Sequence, residues 1–498
     1  MEEMSNRHEG DIDGKLPTFA SRQSVTVRIV VDPSVAAYPS AQHTAWMAVN
    51  LLARTDGIID AILIDCPSTP VHDRVVPFGS ARELDARLVE AANLIYKPLA
   101  HPAGSTAADR TIRISSHRRA DDDILAVGGG WWGGISISGA PIDLARVDVK
   151  SAIPFGPYLA ATFAVGDIYL RARGLPAAGV IAYGWDSWNQ TPALAPVHGP
   201  KPAVDLSQVA LAGVGAVGAA WMHAIWAYTL ASGSVAVVDA DRNGIDLTNL
   251  NRGALFTLAD LGKPKADVAA EAITGGPRWI PINGRYEESG VRPDVLVSAV
   301  DTNAARDAIQ FTYPARALGG STHDLRAEIV HVGTPGVGAC LRCYNEPEAK
   351  TPDEEIRRRA FVTAGAIAEV GKELDLEAEL VESTLRSNAC GQLSDRMMLR
   401  LRAMLEDPSL PRFSVGFVSV AAGVLLAAET IKLLSNPGGL FDASQSVRIQ
   451  YLNPHVGRGG RAQLRDSACP KCSPTTAAFK VWSNRHSAFH RTTAQRDR

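Results

Sequence analysis

The chain has 498 residues, of which 46% are hydrophobic and 21% are charged. This is an ordinary globular composition, and the length is enough for two or three domains. The formal net charge of −3 gives no bulk attraction to nucleic acid or to an anionic membrane, so neither is an expected partner. The first residues, MEEMSNRHEGDIDGK, are polar and unlike an export signal, and we expect a cytoplasmic location.

Residues 1–23 are expected to be disordered, and strand and helix signals alternate over residues 24–190. SVTVRIVVD, AILID and TIRIS predict strands, whereas SAQHTAWMAVNLLAR and the amphipathic FGPYLAATFAVGDIYLRAR predict helices. Such alternation indicates an α/β domain. The glycine-rich AVGGGWWGG has no acid-tipped strand after it, so we interpret it as a turn with two packed tryptophans. Four prolines in residues 191–205 predict a linker.

A nucleotide-binding fingerprint follows the linker. A short apolar strand begins at Val209, a helix is predicted from about Ala216 to Leu230, and the strand SVAVV stops at Asp239. The turn has GxGxxG spacing, with Gly213, Gly215 and Gly218. Glycines allow close approach to a phosphate, the helix N-terminus attracts the anion, and an acid after the second strand can bind ribose. A membrane span or a mere packing turn are alternatives, but the three glycines and the valine-rich strand favour an α/β core.

Three later stretches continue the α/β pattern. GKPK, with Lys265, precedes a helix, and the buried-type strand VLVSAV is tipped by Asp301, where α/β ligands bind. Residues 353–386 are rich in charge and are predicted to be helical, and Cys390 follows them. Residues 415–434 form an apolar helix that Glu429 and Lys432 interrupt, which predicts a buried core helix rather than a membrane span.

The cysteines indicate a metal site. Four of the six lie in the CxxC pairs CLRC and CPKC, which are Cys340, Cys343, Cys469 and Cys472. Two such pairs, in a long chain with no export signal, are typical of tetrahedral zinc with a structural role. Cys66, on an apolar strand, is predicted to be a core residue, and so is His223 on its apolar helix.

The order of these motifs resembles the ThiF/MoeB and ubiquitin-activating enzyme superfamily over residues 205–475. The motifs are GxGxxG, the DxD pair, TNLNR, GKPK, VSAVD, CxxC, a lone cysteine, an apolar helix and a final CxxC. The resemblance implies an α/β fold, with a Rossmann-like active adenylation domain at 206–475. It also implies a degenerate, inactive α/β adenylation-like domain at 24–190, a helical cysteine-bearing insertion at 350–395 and a tail at 476–498. The two adenylation domains would form an internal pseudo-dimer, and a homodimer is possible.

The resemblance implies a role for each motif. The glycine loop would lie against the phosphates of ATP, Asp239 would bind the ribose, and Asp301 would hold Mg²⁺. Other residues would contact ATP, and these are Asn249, Arg252, Lys265 and, with its role left open by a longer loop, Asp241. The catalytic residues would be Arg252, Asp301 and Cys390, while Cys340, Cys343, Cys469 and Cys472 would bind structural zinc. An arginine of the partner domain reaches the ATP in this superfamily, and Arg22 is the candidate.

The implied activity is ATP-dependent adenylation of the C-terminus of a ubiquitin-like protein. A thioester on Cys390 and transfer to a conjugating enzyme would follow. The architecture is most similar to the activating enzymes of bacterial ubiquitin-like conjugation operons, some of which act against phage. One alternative is a sulfur-carrier adenylyltransferase of the thiamine or molybdenum-cofactor type, without conjugation. Others are an NAD-binding oxidoreductase and an inactive scaffold.

Overall fold

The computed structural model describes residues 24–119, 123–173, 181–196, 198–323, 325–332, 338–345, 415–435, 445–451 and 458–486. The predictions for residues 1–23, for Arg22, for residues 350–395 and for Cys390 lie outside these ranges.

Two eight-stranded sheets dominate the described residues, and a two-stranded sheet pairs Val204–Asp205 with Ala231–Ser232. The first sheet comprises β1 (Val25–Val31), β2 (Ile59–Asp65), β3 (Ala100–Pro102), β4 (Arg110–Ile114), β5 (Ile124–Gly129), β6 (Trp132–Ile137), β7 (Ala182–Asp186) and β8 (Thr191–Pro192). The strands that follow are β9 (Val204–Asp205), β10 (Val209–Ala212), β11 (Ala231–Ser232), β12 (Ser234–Asp239), β13 (Arg278–Asn283), β14 (Val295–Ser298), β15 (Arg316–His323), β16 (Arg326–Val332), β17 (Gln445–Gln450) and β18 (Arg458–Ala462).

Ten α-helices connect and cover these strands in the described ranges. They are α1 (Pro39–Ala53), α2 (Leu84–Ile95), α3 (Phe155–Ala172), α4 (Ala216–Ala227), α5 (Leu247–Leu250), α6 (Lys265–Ala272), α7 (Asn303–Gln310), α8 (Leu341–Tyr344), α9 (Gly416–Ser435) and α10 (Ala477–Arg485). Single 3₁₀ turns lie at Leu258–Asp260 and Tyr286–Glu288.

The two large sheets share one topology. The first has the order β3-β2-β1-β4-β5-β6-β7-β8 and the second β13-β12-β10-β14-β15-β16-β17-β18. In each, the first five strands are parallel and the last three join in antiparallel pairs. Since β1 pairs with β2 and β4 as β10 pairs with β12 and β14, the chain contains the same sheet twice.

One hydrophobic core joins the two halves, because helices α1, α3, α4 and α9 lie between the sheets. The expectation that residues 155–173 form an amphipathic helix is wrong in one respect. Every residue of α3 except Arg171 is buried, since the helix packs against α1 and α9 as well as against β5 and β6.

Helix α9 confirms the prediction of a buried core helix. Among the described residues, it is the one helix that is long and apolar enough to cross a membrane. Of its most apolar 18-residue stretch, 94% is buried inside the fold. Its charges are paired internally: Glu429 contacts Lys432 and lies 2.9 Å from Nε2 of His331. Burial raises the pKa of Glu429, but the opposing charges of Lys432 and His331 lower it to about 2.

The tryptophan turn between β5 and β6 has the packing role expected of it. Trp131 and Trp132 are both fully buried. Their indole nitrogens donate to the carbonyl oxygens of Pro200 (2.7 Å) and Ala193 (2.8 Å), so they fix the segment that connects the two halves.

Candidate nucleotide and cysteine sites

The glycine loop after β10 is shaped by two close backbone approaches. Gly213 has φ +92°, and a Cβ there would lie 2.8 Å from the carbonyl carbon of Ala299. A Cβ on Gly218 would lie 2.0 Å from the carbonyl oxygen of Gly213. A Cβ on Gly215 would meet nothing within 4 Å, so open space lies at the N-terminus of α4. Free amides and a positive dipole end beside open space form an anion-binding site.

Asp239 holds this loop in place. It is the last residue of β12, which pairs with β10, and it is 9% exposed. Its Oδ2 accepts from the backbone N–H of Val214 at 2.6 Å, and its Oδ1 accepts from the N–H of Asp241 at 2.9 Å. The carboxylate therefore connects the glycine loop to the loop after β12. This bracing role was not predicted from the sequence.

Asp241 and Lys265 form an ion pair beside the same loop. Lys265 begins α6, and its Nζ donates to Oδ2 of Asp241, while the N–H of Asn243 donates to Oδ1 at 3.0 Å. Burial raises the pKa of Asp241, but the hydrogen bonds from Lys265 and Asn243 outweigh it and lower the pKa. The longer loop thus brings the acid of the DxD pair to the lysine of GKPK, two residues predicted separately for one site.

The TNLNR motif forms the short helix α5 and the turn after it. A capping box closes its start: Oδ1 of Asp246 accepts from the N–H of Asn249 at 3.0 Å, and Oδ1 of Asn249 accepts from the N–H of Asp246 at 3.2 Å. Arg252 is half-buried, and its Nη1 donates to the carbonyl oxygen of Thr248 at 3.2 Å. Sequence reasoning missed Asp246, although an acid three residues before Asn249 is a recognisable capping signal.

Asp301 lies at the same edge of the sheet. It follows β14, which pairs with β10 on the side opposite β12, and it immediately precedes Thr302, the N-cap of α7. Its side chain is exposed. Burial lowers the pKa of Arg306, and the negative charge of Asp301 acts in the opposite direction and raises it. The carboxyl ends of β12, β10 and β14 therefore present Asp239, the glycine loop and Asp301 side by side, in the crevice where α/β folds bind ligands.

The corresponding edge of the first sheet differs. After β1, Oδ1 of Asp32 accepts from the N–H and the hydroxyl of Ser34, at 3.0 and 2.7 Å. Asp65, the last residue of β2 as Asp239 is of β12, lies 3.6 Å from Nη1 of Arg28. Asp32 also lies 3.5 Å from Nη2 of Arg119, so both acids of this edge pair with arginines that line the same open cleft.

The four CxxC cysteines form one compact cluster. The Sγ atoms of Cys340 and Cys343 are 3.8 Å apart, those of Cys340 and Cys469 are 3.7 Å apart, and those of Cys343 and Cys472 are 3.4 Å apart. All four lie within 4.8 Å of one another. A tetrahedral zinc ion with bonds of about 2.3 Å separates its sulfurs by roughly 3.8 Å, so the donor set fits zinc.

The cysteine cluster is attached to α7. Oε1 of the buried Gln310 accepts from the N–H of Leu341 at 3.0 Å. The Asp307 carboxylate lies 3.0 Å from Nη1 of Arg342 and 3.2 Å from Nζ of the buried Lys471. Four zinc-bound thiolates carry excess negative charge, which these two cations would offset, and α7 is the helix that follows Asp301.

The family model for the ThiF family matches residues 202–472 of this chain. The chain belongs to the ThiF family. Protein y4jF of Sinorhizobium fredii (strain NBRC 101917 / NGR234) is 24% identical over 91% of this ThiF-family chain and 88% of its own length. The NEDD8-activating enzyme E1 catalytic subunit of Arabidopsis thaliana is 32% identical over 142 residues, which are 23% of this chain and 31% of that protein.

A second E1-type relative is the ubiquitin-activating enzyme E1-like protein of Saccharomyces cerevisiae, 26% identical over 29% of this chain and 24% of its own length. The chain therefore spans under a third of either E1-type relative. Among solved structures, E. coli MccB is 16% identical and has a TM-score of 0.35, over 54% of this chain and 66% of its own. The family match agrees with the Rossmann-like adenylation fold expected from the motif order.

Two sequence predictions concern residues outside the ThiF-family site. His223 is fully buried and stacks on Tyr158, with ring centroids 5.2 Å apart, and it accepts from Nε1 of Trp46, which confirms a core role. Cys66 is only half-buried, so it is less enclosed than predicted, and it lines an open cleft with Asp65. Burial raises the pKa of its thiol to about 12, so it is a poor nucleophile.

Proposed function

We propose that this chain activates a ubiquitin-like protein by adenylating its C-terminal carboxylate with ATP. The observation that carries the proposal is the edge of the second sheet. There, an open glycine loop, an ion pair of Lys265 with Asp241, and the acid Asp301 meet at the ends of adjacent strands. The relation to E1-type enzymes supports adenylation as the reaction class.

The reaction needs positive charge more than a base. The substrate carboxylate attacks the α-phosphorus of ATP, an acyl–AMP anhydride forms, and pyrophosphate leaves. All the reactants are anionic, so cationic groups must offset the charge that gathers in the transition state. The half-buried Arg252 and Lys265, together with the N-terminus of α4, supply that charge.

Mg²⁺ would add to this charge, and Asp301 is the carboxylate that would hold it. Exposed and adjacent to the glycine loop by strand order, Asp301 is suited to a hard cation that keeps most of its water. Asp239 is proposed to bind the ribose, in addition to bracing the loop, and Asn249 to contact phosphate. The zinc at the four cysteines would be structural, since four protein ligands leave no open position.

The first half is proposed to be an inactive copy of the adenylation domain. Its sheet repeats the topology of the second sheet, but the loop between β1 and α1, residues 32–38, contains no glycine and so lacks the GxGxxG turn. We therefore expect one ATP per chain. The domain boundaries at 24–190 and 206–475 belong to the same proposal, and so does the internal pseudo-dimer.

After adenylation, we propose that the thiolate of Cys390 attacks the acyl–AMP carbonyl. A thioester forms and AMP leaves, and a conjugating enzyme would then accept the acyl group. Conjugation and a role against phage remain predictions that rest on the motif order and on the two-domain architecture. A cytoplasmic location remains a prediction that rests on the N-terminal sequence.

The experiment supplies the chain with MgATP and a ubiquitin-like protein encoded beside its gene. Adenylation predicts ATP–pyrophosphate exchange that depends on this protein. The thioester step predicts an adduct that a reducing thiol removes, one that Cys390→Ala abolishes and Cys66→Ala, the matched control, leaves intact. Exchange without an adduct would support a sulfur-carrier adenylyltransferase instead. Absence of exchange with every adjacent ubiquitin-like protein, or binding of NAD in place of ATP, would refute adenylation.

A further inference from the structure

The end of helix α1, in the first half of the chain, lies against the TNLNR turn of the second half. Nη1 of Arg54 donates to the carbonyl oxygen of Leu250 at 2.8 Å. Nδ2 of Asn50 donates to the carbonyl oxygen of Ala254 at 3.1 Å. Arg54 Nε also donates to Oδ1 of Asn50 at 2.6 Å, so the two side chains act as one unit. Both are fully buried.

These contacts flank Arg252 on both sides. The carbonyls that receive them belong to residues 250 and 254, and the turn between those residues carries Arg252. Helix α9 closes a third side: a Cβ on Gly416 would lie 3.1 Å from the carbonyl oxygen of Asn251 and 3.6 Å from Cα of Arg252. The backbone under Arg252 is therefore held by two side chains of the first half and by α9 of its own half.

Packing alone does not explain why a charged residue occupies position 54. A fully buried guanidinium carries a large desolvation cost, and an aliphatic side chain of similar length would fill the space. Unlike an aliphatic side chain, the guanidinium forms directional hydrogen bonds, and its planar donors fix the orientation of the carbonyl that accepts from them. Here the guanidinium fixes the carbonyl of Leu250, two residues before Arg252.

We propose that Arg54 and Asn50 are positioning residues that hold Arg252 in place for the phosphates of ATP. The proposal rests on the proposed function for the phosphate contact of Arg252. It gives the first half a direct part in the site of the second half. Neither side chain carried a sequence signal, since each lies about 200 positions before its acceptor.

The test combines hydrogen exchange with a double-mutant cycle on the full chain. In Arg54→Met without nucleotide, the amide of Gly253, which donates to Asn249 at 2.8 Å, should exchange at least about tenfold faster. The affinity for MgATP, measured by calorimetry, should fall by about tenfold or more. Arg54→Lys should recover part of both losses. In the cycle, Arg54→Met should cost far less affinity when Arg252 is already alanine.

The matched control is Gln190→Met. Gln190 is buried and donates across the halves to Glu429, about 20 Å along α9 from Gly416. It should lower the melting temperature as Arg54→Met does, yet leave the exchange of Gly253 and the affinity for MgATP unchanged. Unchanged exchange of Gly253 in both Arg54 variants would overturn the positioning role, whether or not ATP binds. Additive losses in the cycle would overturn it as well, whereas a wild type that binds no MgATP would refute the proposed function instead.

Discussion

Alanine at two neighbouring glycines of the phosphate loop should have opposite effects on folding and on binding. In Gly218→Ala the new methyl group would lie 2.0 Å from the carbonyl oxygen of Gly213, which is backbone and cannot rotate away. In Gly215→Ala the methyl group would enter open space, and the backbone there, with φ −73° and ψ −158°, suits alanine. The pair is therefore a matched comparison within one turn.

The clash at Gly218 sets the size of the first effect. Overpacking of a tight contact costs about 1–3 kcal/mol. In a chain of this size, whose unfolding entropy is roughly 1 kcal/mol/K, that corresponds to a fall in melting temperature of about 1–3 °C. Gly215→Ala has no clash, so its stability should stay within about 0.5 kcal/mol of the wild type. Differential scanning fluorimetry measures both.

Gly215→Ala, which leaves the stability intact, should instead weaken the binding of MgATP. If a phosphate fills the space at the N-terminus of α4, the methyl group of Gly215→Ala displaces it, and the affinity for MgATP should fall at least about tenfold despite intact stability. Calorimetry with MgATP measures this. Wild-type affinity in Gly215→Ala would refute the placement of the phosphates, and an unchanged melting temperature in Gly218→Ala would refute the tight backbone approach.

Three further predictions test other parts of the structure. Asp239→Asn can accept from only one of the two amides that Asp239 holds, so the affinity for MgATP should fall about tenfold or more in calorimetry. Cys469→Ser should lower the zinc content from about one per chain, measured by elemental mass spectrometry, and should reduce the melting temperature. Burial lowers the pKa of His43 and of His223 to about 3, so the unfolded chain binds more protons between pH 6.5 and 3, and stability should fall as the pH falls through that window. Each histidine contributes up to about 1.4 kcal/mol per pH unit, and an undiminished slope in His43→Phe would contradict this account.

The parts of the site that follow from the sequence are those that local chemistry determines. A GxGxxG turn between two apolar strands requires close backbone contacts, and the structure places them at Gly213 and Gly218. Two CxxC pairs have few uses in such a chain, and their sulfurs do converge. The α/β class of both halves also follows from strand and helix alternation, because parallel strands require crossover connections.

The parts that could not be predicted depend on contacts between distant segments. The bracing by Asp239 of the N–H of Val214 needs the register of β10 against β12, which no local pattern states. Burial of α3 on every side reflects the packing of one half on the other, so its sequence alone suggested an exposed face. The contact of Arg54 with the TNLNR turn is of the same kind.

The two halves of the chain share one sheet topology but contribute differently to the candidate site. Both sheets have a crevice at the ends of their parallel strands, and in each an acid accepts from a loop amide, Asp32 from Ser34 and Asp239 from Val214. The first half retains the helices that bury the shared core, and α1 extends its last turn to the loop that carries Arg252. The first half can thus determine the geometry of the loop that carries Arg252, because that loop is anchored across the interface between the halves.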